Sequence, residues 1–174
     1  DVLVCNAATN PFLGSSLDIP EEAFDKIINN NIKSNHLLAN LVLPEMIKRK
    51  DGVIIIISSI SGFKGNEILG TYAMTKAAMS QLTYNLACEW GRENIRVNCV
   101  CPWYIRTPLA DQVLKDEVYK KTVLDVTPAG RVGEVEGVGE VDGEGEGVGD
   151  VDGDGDGEGE GEGEGEGEGE GEGE

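Results

Sequence analysis

The sequence has few of the residues that hold small disulfide-rich or metal-binding proteins together. It contains one histidine and four cysteines, and none of the cysteines has C-x-x-C spacing: Cys5, Cys88, Cys99 and Cys101. Disulfide scaffolds and zinc sites need denser or more closely spaced ligands than these. The pattern therefore predicts free thiols in a reducing compartment and no metal site.

Long apolar runs are also lacking. The longest uninterrupted one, residues 53–57, is far too short for a bilayer, which takes about 20 residues to cross. No charged and then apolar leader opens the chain. We expect no membrane span and a cytoplasmic location, with the peroxisome as the alternative. Because the chain opens at Asp1 inside an apolar run, we also expect that an N-terminal portion is missing.

Positive charge is absent from the last part of the chain. All 14 Lys and Arg precede Val135, and residues 135–174 contain only Gly, Val, Asp and Glu. Residues 1–134 carry 15 acidic side chains against those 14 basic ones, so most of the formal charge of -19 belongs to the tail. We predict one nearly neutral domain over 1–134, followed by a low-complexity tail, and no nucleic-acid partner.

The tail itself has three interpretations. Alternating Gly and acid cannot bury apolar surface and repels itself, which predicts an extended disordered segment. Residues 150–155 imitate the start of an EF-hand loop, but the twelfth position is Gly161 rather than Glu. A repeat this regular also resembles a translated nucleotide-repeat expansion.

Apolar periodicity predicts alternating strands and helices before the tail. Short β-branched runs at 2–5, 53–57 and 96–101 indicate strands, the middle one without polar alternation, as in a central strand covered on both faces. Helical spacing follows Pro20, is interrupted by the asparagines 29–31, resumes to Lys50, and returns from Tyr72 to Trp90. This order predicts an α/β fold, part of a doubly wound parallel sheet with ligands at the carboxyl ends of its strands.

A candidate site lies where the second strand ends. Ser59 follows the strand, and Tyr72 and Lys76 are one helical turn apart on the same face. An ammonium near a phenol favours the phenolate and should lower its pKa from about 10. The three residues together predict a proton donor, Tyr72, with Ser59 holding the substrate oxygen.

The combination of these residues with others resembles the short-chain dehydrogenase/reductase family. The resemblance covers residues 1–134 and rests on Asn6-Ala-Ala, Asn31, Ser59, Tyr72-x-x-x-Lys76 and Arg96-Val-Asn98-x-x-x-Pro102. The Asn10-Pro-Phe-x-Gly14 stretch is similar to the carbonyl and retinol reductase branch.

The resemblance implies a Rossmann-like domain that transfers hydride between NADP or NAD and a carbonyl or alcohol carbon. It implies that Tyr72 acts as general acid and base, with its pKa lowered by Lys76, which also binds the nicotinamide ribose. Ser59 would orient the reacting oxygen, and Asn31 would anchor a water that relays protons to Lys76. The residues that it places beside the cofactor, besides Tyr72 and Lys76, are Asn6, Ala7, Pro102, Ile105 and Thr107. It also implies a homo-oligomer that packs through the Tyr-bearing helix, and a mobile substrate lid over residues 108–125.

Departures from the family pattern leave a second interpretation open. The glycine-rich phosphate turn and the residues that distinguish NAD from NADP are absent, as are the family's last strand and closing segment. Trp103 stands where the family usually has Gly, and its indole could block the cofactor. The alternative is therefore a catalytically inactive fragment that acts, if at all, as a binding or oligomerisation module.

Overall fold

The structure is a computed structural model that describes residues 1–135. The predicted disordered tail and the EF-hand-like stretch at 150–155 lie outside these residues, apart from Val135. The predicted boundary between domain and tail therefore stays a prediction.

Three parallel strands form one sheet in the order β1-β2-β3: β1 (Val2–Cys5), β2 (Gly52–Ile57) and β3 (Ile95–Val100). Ile55 at the centre of β2 pairs with Val4 on one side and Asn98 on the other. Parallel pairing requires a crossover between successive strands, and helices supply both of them. The predictions of a parallel α/β, Rossmann-like fold and of a central second strand are confirmed.

Five α-helices accompany the sheet: α1 (Glu21–Ile28), α2 (Ser34–Arg49), α3 (Gly70–Trp90), α4 (Pro108–Leu114) and α5 (Glu117–Asp125). The predicted break at the three asparagines is wrong. Residues Asn29–Lys33 form a π-helical turn that keeps helical backbone angles and joins α1 to α2 without interruption. The extra residue of a π turn relieves a local mismatch in the helix, and such turns are frequent at functional sites.

Helices α2 and α3 both pack on one face of the sheet. On that face Ile54 and Ile56 of β2 are fully buried, in one cluster with Leu43 of α2 and Met79 and Leu86 of α3. Burying such side chains stabilises the fold by roughly 1.5–3 kcal/mol each. This cluster fixes the position of α3, and with it the position of the predicted catalytic residues.

The opposite face of the sheet is open within residues 1–135. Val2 and Val4 are 61% and 52% exposed, and Val53, Ile55 and Ile57 are only half-buried. The expectation that the second strand is covered on both faces is therefore not met, because the helices that connect the three strands lie on the other side. We call the apolar residues Val2, Val4, Val53, Ile55, Ile57 and Val100 the open sheet face; the exposed Arg96 and Asn98 of β3 lie on the same side, beside Val53 and Ile55.

No helix in the described range is long and apolar enough to cross a bilayer. Within that range no three His, Cys, Asp or Glu side chains lie close enough together to bind a metal ion. All four cysteine thiols are free.

Candidate active site

A cavity of about 460 Å³ lies where the three strands end. Asn6 follows β1, Ser58 and Ser59 follow β2, and Pro102 follows β3, and all four line the cavity. The carboxyl ends of parallel strands are where α/β proteins bind ligands. The predicted position of the site is therefore the position of this cavity.

The end of β2 is fastened to α3 by hydrogen bonds. The Ser58 hydroxyl donates to the Lys76 carbonyl (2.7 Å) and lies 3.0 Å from the Ser80 hydroxyl. Ser59 has an extended backbone and begins a 3₁₀ turn at Ile60–Phe63, where its side-chain oxygen accepts a hydrogen bond from the Ser61 amide (3.1 Å). That bond uses only an acceptor site, so the Ser59 hydroxyl proton is left to donate.

A glycine lets this turn approach α3 closely. A Cβ at Gly62 would lie 2.7 Å from the Ala77 backbone nitrogen. Any larger residue would push the turn, and Ser59 with it, away from the helix that carries the other site residues. Gly62 is thus part of the reason that Ser59 lines the same cavity as Tyr72.

Tyr72 and Lys76 lie on the cavity-facing side of α3, as their spacing predicts. The Lys76 ammonium is 5.5 Å from the centroid of the Tyr72 ring, and it donates to the Ile57 carbonyl (2.7 Å) at the end of β2. Lys76 is 4% exposed, so this carbonyl is its compensating partner. The structure thus brings Ser59, Tyr72 and Lys76 together around one cavity.

The pKa of Tyr72 differs from the prediction. Burial raises the pKa of the Tyr72 phenol above its usual value, whereas a lowered value was expected from the Lys76 ammonium. The Lys76 ammonium lies over the Tyr72 ring and donates to the Ile57 carbonyl. Desolvation of the phenol therefore affects the Tyr72 pKa more than the attraction between this ammonium and the phenolate does. Burial also lowers the pKa of Lys76, and Cys99 and Cys101 act in the opposite direction.

Asn31 is placed in the π-helical turn and is not part of the cavity wall. Its side chain accepts from the Thr9 amide (2.8 Å), donates to the Thr9 carbonyl (3.0 Å) and donates to the Thr75 hydroxyl (3.1 Å). Both amide hydrogens are therefore used. The contacts make Asn31 a clamp between the loop after β1 and helix α3, and its role in a proton relay stays a prediction.

The residues predicted to lie beside a cofactor are mostly on the same wall. Asn6, Pro102, Ile105 and Thr107 line the cavity, whereas Ala7 is exposed and does not. The Thr107 hydroxyl also accepts from the Ala110 amide (3.3 Å) and begins α4. The lid predicted over 108–125 is therefore a pair of short helices, and Leu109 and Val113 of the first of them contribute to the wall.

Trp103 anchors an aromatic group at one side of the cavity. Its indole nitrogen donates to the Thr127 hydroxyl (2.9 Å), and its ring lies edge-on to Tyr104, with centroids 4.7 Å apart. The Lys64 ammonium is 4.2 Å from the Trp103 centroid, a cation–π contact. The Tyr104 and Tyr119 hydroxyls pair at 2.7 Å. Trp103 is thus fixed to the segment after α5 as well as to the cavity wall.

Asn10 is a site residue that the sequence did not predict, although it is part of the stretch that resembles the carbonyl and retinol reductase branch. Asn10 is 7% exposed and lines the cavity, and its side chain makes no hydrogen bond to any residue in the range 1–135. The available signal was its position, since a polar residue in the loop after β1 lies at the carboxyl end of the sheet.

Comparison with protein families agrees with this geometry. A family profile described as Enoyl-(Acyl carrier protein) reductase matches residues 1–142. The bovine (Bos taurus) protein named dehydrogenase/reductase SDR family member 4 is 41% identical over 136 residues, which are 78% of this chain and 49% of that protein. The chain therefore spans about half the length of this curated relative.

Solved structures give the same result. A putative 2-deoxy-d-gluconate 3-dehydrogenase from Agrobacterium tumefaciens with bound NADP matches with a TM-score of 0.75 and 28% identity, over 79% of this chain and 56% of that one. A 7α-hydroxysteroid dehydrogenase complexed with NADH and 7-oxo glycochenodeoxycholic acid matches with a TM-score of 0.70 and 36% identity, over 77% and 51%. The predicted branch fits the bovine relative, and with these matches the prediction of the family is confirmed: the chain belongs to the short-chain dehydrogenase/reductase family.

Proposed function

We propose that this chain interconverts a ketone or aldehyde and an alcohol with an NAD(P) cofactor, using Tyr72 as general acid and base. The observation that carries the proposal is the convergence of Ser59, Tyr72 and Lys76 on one cavity at the strand ends. General acid-base help from a positioned phenol is worth roughly 10²- to 10⁴-fold in rate.

Ser59 and Tyr72 would contact the substrate oxygen, and Lys76 would hold the elements that carry them. The free Ser59 hydroxyl proton donates to the oxygen and orients it. The Tyr72 phenol gives its proton to that oxygen in reduction and takes it back in oxidation. Lys76 lies between the Tyr72 ring and the Ile57 carbonyl, so it fixes both strand end and helix. Asn31, which is held in place by its hydrogen bonds to Thr9 and Thr75, would anchor a water that relays protons to Lys76.

The described residues fit the nicotinamide half of the cofactor. Lys76, which would bind the ribose, lies on the same wall as Ile105 and Thr107, which would meet the carboxamide and the phosphates. Asn6 lines that wall too and would steady the sheet beside the cofactor. A bound nicotinamide supplies or accepts the hydride. Residues 1–135 contain no glycine-rich turn that could hold the pyrophosphate, so the proposal covers both NAD and NADP.

A second candidate is a catalytically inactive fragment that binds or oligomerises. The chain spans about half the length of its curated relative, 49%, and its open sheet face is apolar. Trp103 on the cavity wall, where the family usually has Gly, also favours this candidate.

A titration separates the two candidates. The 174-residue chain is titrated with NADH and with NADPH while cofactor fluorescence is followed, and turnover of a simple diketone is measured with the tighter cofactor. Saturable binding and turnover that Tyr72→Phe abolishes support the enzyme. Absence of both binding and turnover supports the inactive fragment.

Oligomerisation and compartment are part of the proposal as well. Helix α3 carries exposed Met74 and Tyr84, and the neighbouring α2 carries exposed Leu37 and Leu41, which supports a homo-oligomer packed through these helices. Light scattering of the chain and of Met74→Glu would test it. A cytoplasmic or peroxisomal location remains a prediction, which fractionation of cells would test.

A further inference from the structure

Asn10 is a buried amide that faces the cavity and has no side-chain hydrogen-bond partner among residues 1–135. Only 7% of the residue is exposed, and the described residues offer no hydrogen bond to its side chain. In the described range only Asn35 Oδ1 is both fully enclosed and without a hydrogen-bond partner. The Asn10 amide atoms, which also have no partner there, are therefore not fully enclosed. The Asn10 amide therefore meets open space, and the space beside it is the cavity.

The backbone next to Asn10 is held rigidly. The Thr9 amide and carbonyl both bond to the Asn31 side chain, at 2.8 and 3.0 Å, and the Asn31 side chain is anchored in turn on Thr75 of α3. Further along the same loop, the Gly14 amide donates to the Ile68 carbonyl (3.0 Å). The loop that carries Asn10 is thus fixed to the body of the protein on both sides, so its side chain keeps its place in the cavity wall.

Among the polar groups in the wall, Asn10 combines burial with the lack of a side-chain partner in residues 1–135, whereas Asn6 and Gln112 are exposed. The Ser58 hydroxyl donates to the Lys76 carbonyl, and the Tyr104 hydroxyl pairs with that of Tyr119. Much of the remaining lining is apolar, and it includes Leu13, Leu69, Leu109 and Val113. A buried amide beside such side chains is stable only when something supplies its hydrogen bonds.

We propose that Asn10 is a specificity-determining residue that hydrogen-bonds a second oxygen of the substrate, so that the cavity takes a carbonyl compound with a further carbonyl or hydroxyl on an otherwise apolar skeleton. The inference rests on the proposed function, in which Ser59 and Tyr72 take the reacting oxygen. An amide both donates and accepts, so it can bind either a carbonyl or a hydroxyl oxygen.

The test compares two substrates that differ in one oxygen, 2,3-hexanedione and 3-hexanone, on the 174-residue chain with NADPH and with NADH. Asn10→Leu should lower kcat/KM for the diketone about 10- to 100-fold, mainly through KM, because a site loses most when a paired polar group is removed. It should change the monoketone value less than about threefold. Asn10→Gln should restore part of the loss.

Asn30→Leu, a matched change at an exposed asparagine, should alter neither value. An equal loss for both substrates would indicate a structural role and overturn the inference.

A binding measurement keeps the inference testable if the chain does not turn over. Trp90 and Trp103 are the two tryptophans, and only Trp103 lines the cavity, so Trp90→Phe isolates its fluorescence. Saturable quenching by the diketone that Asn10→Leu weakens about tenfold, with no turnover, supports the inference while the proposed function fails. Turnover of the diketone that Asn10→Leu leaves unchanged supports the function while the inference fails. The absence of saturable quenching and of turnover would overturn both.

Discussion

At the scale of single residues, the account depends on the protonation of Tyr72. Burial raises the pKa of its phenol, so the phenol is protonated at neutral pH and is ready to act as an acid. The base form needed for alcohol oxidation is then scarce.

We expect oxidation and reduction to depend differently on pH. Between about pH 7 and 10 the alcohol oxidation rate should rise about tenfold per pH unit, because the phenolate fraction grows tenfold per unit below the pKa. Carbonyl reduction should stay level over the same range, because the acid form persists. Initial rates in both directions check this. An oxidation rate that levels off below about pH 9 would mean that Lys76 does lower the pKa.

Cysteine reactivity gives a second prediction at this scale. Burial and the neighbouring Cys99 raise the pKa of Cys101 to about 11, whereas Cys88 is exposed on α3. Because the thiolate is the nucleophile, iodoacetamide at about pH 8 should label Cys88 at least ~10-fold faster than Cys101. Peptide mass spectrometry over a time course measures both rates. Cys88→Ser should remove the fast phase, and rapid labelling of Cys101 would contradict the burial of its thiol.

At the scale of elements, the π-helical turn between α1 and α2 connects fold and site. It places Asn31, 1% exposed, where one side chain holds both Thr9 in the loop after β1 and Thr75 in α3. The loop in question carries Asn10 into the cavity, so the turn acts on the site through its hydrogen bonds.

Removing this clamp should destabilise the protein. Asn31→Ala loses three hydrogen bonds and leaves the half-buried Thr9 amide and carbonyl without their partner, so we expect a loss of about 2–4 kcal/mol in the free energy of unfolding. The exposed neighbour provides the control, and Asn30→Ala should cost less than about 0.5 kcal/mol. Urea unfolding measures both. Equal losses would show that helix propensity, rather than the clamp, decides the stability of the turn.

How much the sequence predicted also varies with scale. The strands, α3 and the shared cavity of Ser59, Tyr72 and Lys76 follow from periodicity and spacing, which are local properties of the chain. The π turn and the pKa of Tyr72 do not, because they depend on packing and desolvation between distant segments. Asn10 was missed for the same reason, since its burial without a side-chain partner in residues 1–135 is visible only once the loop is folded against α3.

At the scale of the whole molecule, the two faces of the sheet differ within residues 1–135. One face of the sheet forms the core with α2 and α3, while Val2, Val4 and Val100 on the other are exposed. Exposed apolar side chains clustered in this way commonly mark an interaction site or an aggregation liability.

An apolar dye tests whether the face is open in solution. We expect anilinonaphthalene sulfonate fluorescence to rise several-fold with the native chain, because the dye binds exposed apolar surface. Val4→Lys should reduce the rise by about half, since it places a charge on this face, whereas Leu17→Lys in an exposed loop should not. No rise with the folded chain would contradict an open face.

Isotope transfer shows directly whether Tyr72 serves a hydride transfer in this cavity. The 174-residue chain is incubated with a diketone and NADPH deuterated at both transferable positions of the dihydropyridine ring, and then with NADH labelled in the same way. The account predicts an alcohol product with one deuterium on the carbinol carbon, formed roughly 10²- to 10⁴-fold more slowly by Tyr72→Phe and at an unchanged rate by Tyr84→Phe. A product without deuterium, or equal rates for the wild-type chain and Tyr72→Phe, would contradict it.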